Sequence, residues 1–201
     1  MVLLIGQEAL DFTSPAVMPD NSIKPDFGLK SYLNGRQGLL VFYPMNFGYV
    51  DPTEITAIQD VLPELTERNV APVAVSVDTY MSHIAWKERP LEEGGIGNVQ
   101  FPLVSDISKV VGTNYDVLVN QSISLRATFL IDADFFVRYQ SVQDLPLGRN
   151  MNEIIRVIDS LATYQRTGEV IPANWQSGQE SMRPDKLGLN TYLSKKYRNA
   201  A

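Results

Sequence analysis

The residues best placed to do chemistry lie in Val41–Glu54, VFYPMNFGYVDPTE. An apolar run breaks at Pro44 into a short loop, and Asp51-Pro52-Thr53-Glu54 then opens a helix. A helix start offers unpaired backbone N–H groups and the positive end of the macrodipole, which suits an anion or an activated nucleophile. The residue standing there is an aspartate. A carboxylate can cap, accept hydrogen bonds or pair with a cation, but it lacks the two-electron redox step of a thiol. The chain has no cysteine at all. That removes disulfides, a thiolate nucleophile and cysteine metal sites. His83 is the one histidine, so a histidine-built zinc site is close to excluded and no nucleophile elbow supports a Ser-His-Asp arrangement. Neither a cofactor nor a metal is expected. Read locally, Asp51 is an N-cap, itself non-helical, with Pro52 at N1 and Glu54 at N3, a cap worth about 0.5–2 kcal/mol.

The elements around this stretch follow from periodicity. Leu39–Tyr43 is a continuous apolar run, as in a central strand buried on both faces. Ile55, Ile58, Val61 or Leu62, and Leu65 keep helical spacing, with Pro63 set to bend or break the helix. Val73–Val77 and Phe101–Val104 read as strands, Thr79–Lys87 and Ile107–Tyr115 as short helices. Residues 14–37 read as hairpin and loop. Ala127–Asp132 and Phe135–Val142 make two strands around a tight turn, and Asn150–Leu161 a helix. The order predicts an α/β protein with a mixed central sheet and flanking helices. Residues 1–165 are expected to form the domain and 166–201 a C-terminal arm with a solvated basic end, Lys195, Lys196 and Arg198. The glycine-rich Gly94–Gly97 lacks the phosphate-loop pattern.

A chain of 201 residues, 44% hydrophobic, can build a real core. A net charge of −6 argues against a nucleic-acid binder. No apolar run is long enough to span a membrane. The start, MVLLIGQEALDF, has no basic n-region, so a cytoplasmic location is expected.

FYP-x-x-F-x-x-V-x-PTE at Phe42–Glu54 resembles the active-site segment of the typical two-cysteine peroxiredoxins, the alkyl hydroperoxide reductase and thioredoxin peroxidase family. SVD-x-x-x-SH-x-AW at Ser76–Trp86, GG-x-G at Gly94–Gly97, DLPLGR at Asp144–Arg149, GEVIPANW at Gly168–Trp175 and Tyr192-Leu193 are similar to further segments of it. The resemblance implies a thioredoxin-like fold. In the family's P-x-x-x-T-x-x-C motif, the proline falls on Pro44, the threonine on Gly48 and the peroxidatic cysteine on Asp51. The active-site arginine falls on Arg126, and the resolving cysteine on Ile171.

The departures thus fall on the chemistry. The resemblance implies a homologue without its nucleophile: a pseudoenzyme working as an oligomeric scaffold, chaperone-like or regulatory protein. The alternative is a thioredoxin-dependent peroxide reductase active by a non-standard route. A buried Arg126 needs an anion beside it, either Asp51 or a bound small anion. In the family the first helical turn unwinds during turnover, so Asp51 is expected to hold it folded and to imitate the charged, overoxidised nucleophile. A homodimer or ring-shaped decamer is implied, as are mixed rings with an active paralogue. His83, Trp86 and Trp175 read as packing residues, His83 near a subunit contact, and Met45 as a filler methionine.

Overall fold

A computed structural model describes residues 2–198. It divides into two compact units, residues up to 151 and residues from 152 onward.

The first unit is organised by β3 (Gln37–Phe42) and its neighbour β4 (Val70–Ser76). Both are almost wholly buried and run parallel, as their unbroken apolar runs require. The link between them is α2 (Asp51–Asp60) and α3 (Leu62–Glu67). The break predicted at Pro63 is real. Proline stands in the first turn of α3, where its missing N–H costs nothing. Beyond β4, α4 (Tyr80–Glu88) begins at Thr79, whose side chain accepts a hydrogen bond from the Ser82 N–H. Next comes β5 (Leu103–Ser105), parallel to β4.

β1 (Thr13–Val17) and β2 (Ile23–Gly28) form an antiparallel hairpin on the β5 side. On the other side of β3, β8 (Arg126–Ile131) pairs antiparallel with β3, and β9 (Val137–Gln143) antiparallel with β8. The seven-stranded order is β2-β1-β5-β4-β3-β8-β9, and a separate two-stranded ribbon joins β6 (Leu118–Val119) to β7 (Ile123–Ser124). Phe27, Phe42, Tyr115 and Phe129 fill the core, with Phe42 edge-on to Phe129 at 5.9 Å between ring centres.

Residues 14–37 hold a helix that the loop reading lacks: α1 (Leu29–Leu33). Leu29 and Leu33, four apart, are buried, and Asn34 closes the turn in the left-handed conformation. The predicted 107–115 helix shrinks to α5 (Val110–Asn114), because buried Asp106 accepts hydrogen bonds from the Val111 and Gly112 N–H groups.

The second unit contains nearly all of α6 (Met151–Thr167), which outruns its predicted end at Leu161. No breaker intervenes before Gly168, which takes a φ of 70°. The segment read as an arm holds one bridge, Val170 to Met182, and then α7 (Lys186–Arg198). The basic end is therefore helical. Its cations stand in the last turn, the favourable end of the dipole, and none of its residues is buried.

Candidate functional site

The site is built where β3 ends. Pro44 is buried just past the strand, and the loop exposes Met45, Phe47 and Tyr49. Met45 is thus no core filler. Phe47 has a φ of 60° and packs against Trp86 with 6.0 Å between ring centres. The loop is anchored from below. Asp78 accepts a hydrogen bond from the Asn46 N–H at 2.8 Å, and the Asn46 amide reaches Ser82 Oγ at 2.8 Å and His83 Nδ1 at 3.0 Å. His83 is fully buried, its Nε2 3.3 Å from the Val104 carbonyl. Burial pushes its pKa down to about 4, against the pull of Asp78, so it packs as a neutral ring.

Asp51 is not an N-cap. It is the first residue of α2; Val50 takes the cap position, and its carbonyl accepts from the Thr53 and Glu54 N–H groups. The predicted side-chain cap is absent because the carboxylates of Asp51 and Glu54 turn inward to stronger partners, guanidinium groups. Asp51 Oδ1 lies 3.0 Å from Arg126 Nη1, and Glu54 Oε2 lies 2.6 Å from the same nitrogen. Glu54 Oε2 also lies 2.8 Å from Arg149 Nη1, and Oε1 accepts the Arg149 backbone N–H at 2.9 Å.

Both arginines are held from behind. Arg126 Nε donates to the Leu145 carbonyl at 2.7 Å. Arg149 donates to Thr128 Oγ1 at 2.8 Å and to the carbonyls of Ala127 and Phe42. The four side chains are each no more than 4% exposed. Two carboxylates facing two guanidiniums form a neutral cluster, the arrangement in which buried charge persists. Burial, aided by the like charge of Arg126 and opposed by Glu54, lowers the Arg149 pKa to about 10.

Four sequence-predicted positions, Pro44, Gly48, Asp51 and Arg126, lie in the first unit, and the anion expected beside Arg126 includes Asp51. Gly48 stands against the Asp51 carboxylate: a Cβ at residue 48 would lie 2.0 Å from Oδ2. Ile171, half-buried, belongs to the second unit. Glu54 and Arg149 were missed as site residues. Their signal was present: Glu54 lies three residues from Asp51, on the same helical face, and a second arginine demands a second anion.

In the second unit, Trp175 is buried and donates to the Gln179 carbonyl at 2.9 Å. An open cleft of about 520 Å³ there is lined by Glu169, Glu180, Ser181 and Lys195 among others. Lys195 and Glu180 pair across 2.8 Å, and Ser181 donates to Glu169, so its charges largely answer one another.

A mixed sheet with flanking helices, and a strand-loop-helix that sets residue 51 against a buried arginine, define a thioredoxin-like protein on the peroxiredoxin plan. The family model described as "AhpC/TSA family" matches residues 5–140, and "C-terminal domain of 1-Cys peroxiredoxin" matches 160–195. The chain belongs to the AhpC/TSA family. It is 41% identical over 195 residues to alkyl hydroperoxide reductase C of Buchnera aphidicola, covering 96% of this chain and 99% of the relative. The crystal structure of reduced Plasmodium vivax 2-Cys peroxiredoxin matches with a TM-score of 0.93 and 42% identity, over 96% of this chain and all of that one. A Plasmodium yoelii relative, described as forming an artifactual octamer when modified at its N-terminus, matches with a TM-score of 0.77 and 43% identity, over 86% of this chain and 99% of that one.

Proposed function

We propose that this member of the family does not reduce peroxides and acts as an oligomeric scaffold, chaperone-like or regulatory subunit. The observation that carries the reading is the content of the site. With no cysteine in the chain, residue 51 supplies a carboxylate already committed to Arg126 at 3.0 Å. Peroxide reduction by a thiol oxidises sulfur and returns it through a second thiol, and this chain has no thiol to take either step. The ion pair also favours a permanently folded first turn in α2, because unwinding it would break a buried pair. A homo-oligomer, dimer or ring-shaped decamer, is part of the same reading and is supported by membership of the family. Mixed rings with an active paralogue are the regulatory form of the same proposal.

The test is peroxide consumption with hydrogen peroxide and an organic hydroperoxide, in the presence of a thiol reductant. Wild type is expected to be inert and Asp51→Cys to gain weak turnover. Turnover by wild type would establish instead a peroxide reductase that works by a route other than a thiol. Co-purification would separate scaffold from regulator, since mixed rings contain a second chain of similar mass.

A further inference from the structure

We infer that Asp51 is the built-in occupant of a buried anion site, and that Gly48 is the residue that admits it. The inference deepens the reading of Asp51 as a replacement for a reactive group, but stands on different observations.

Arg126 and Arg149 are both buried, and a buried cation needs an anion at hand. Glu54 touches both, yet its single charge balances only one. Asp51 supplies the second from within the chain, leaving the cluster without need of a bound ion. Its carboxylate has taken the space where a side chain at position 48 would stand. A Cβ there would meet Asp51 Oδ2 at 2.0 Å and Cγ at 3.0 Å. The next nearest atom, the Met45 carbonyl oxygen, would be at an ordinary 3.6 Å.

Backbone conformation is no obstacle either, because Gly48 is absent from the glycines with positive φ. Glycine at 48 therefore serves neither a turn nor a close backbone approach. It serves the carboxylate. Asp51 has little freedom to yield, since its side chain is 3% exposed and turning it aside would part it from Arg126. The two positions interlock: the carboxylate requires the glycine, and with the carboxylate in place the site has its anion.

The site vacated by shortening residue 51 should accept a small carboxylate. The experiment measures thermal unfolding of the full chain against sodium formate, for wild type and Asp51→Ala. The variant is expected to unfold at a lower temperature and to recover about 2–4 °C at saturating formate relative to wild type in the same salt, with no recovery in neutral formamide. A variant that responds to formate no more than wild type does would overturn the idea of an anion site.

The interlock has its own test, which also serves if Asp51→Ala does not fold. Gly48→Ala is introduced into wild type and into Asp51→Ser. It should lower the unfolding midpoint in wild type. In Asp51→Ser it should leave the midpoint unchanged or raise it, because replacing glycine at an unstrained position restricts the unfolded chain. The same effect of Gly48→Ala in both backgrounds would refute the interlock. Neither measurement involves peroxide, so their failure is distinct from failure of the functional proposal.

Discussion

At the residue scale, the cluster of Asp51, Glu54, Arg126 and Arg149 makes unequal demands on its members. Glu54 meets both arginines, Asp51 only one. Glu54→Ala should therefore cost more stability than Asp51→Ala, on the order of 3–5 kcal/mol for removing one partner of a buried pair. Denaturant unfolding of the two variants measures the difference. His83 makes a second prediction. Its folded pKa of about 4 lies below the ordinary value of 6.5, so between those values the unfolded chain binds the extra proton. Stability contributed by neutral His83 is full above pH 6.5 and is lost as pH falls toward 4, by an amount on the order of 3 kcal/mol. The groups facing it are Tyr43, Asn46 and Asp78. In urea titrations from pH 7 to 4, His83→Asn should show a shallower slope than wild type. Equal slopes would assign the acid sensitivity to the carboxylates.

At the scale of the element, α2 carries the argument. Its first turn is joined to Arg126 on β8 through Asp51. Amides of residues 51–56 should exchange more slowly in wild type than in Asp51→Cys, and equal protection in the two would remove the idea of a locked helix start. The sequence showed that a helix begins here, because proline and acidic residues mark a first turn. It did not show which way the carboxylates point. The local signal, Asp-Pro-x-Glu, favours a cap, and the partners that override it lie 75 and 95 residues away, Arg126 from Asp51 and Arg149 from Glu54. Helix α1 was hidden for a different reason. Five residues give too short a window for periodicity to register, although Leu29, Leu33 and Asn34-Gly35 together spell a turn of helix and its end. Leu33→Ala should cost about 2–5 kcal/mol, as for other buried leucines, and thermal or denaturant unfolding would show it. The parallel strands were legible because residues buried on both faces leave unbroken apolar runs in the chain.

At the scale of the whole molecule, a chain without thiols has no covalent means of responding to oxidant through disulfides. The proposed assembly should keep the same size distribution in hydrogen peroxide and in dithiothreitol, as read by sedimentation velocity. A distribution that shifts in peroxide alone would point to methionine oxidation, for which the exposed Met81 and Met45 are the first residues to examine. A Cβ at position 48 would lie 2.0 Å from the Asp51 carboxylate, so with the acid in its present place the two side chains exclude one another. The positions are therefore not free to vary independently: a substitution that puts a side chain at 48 is expected to be tolerated only together with a change at 51.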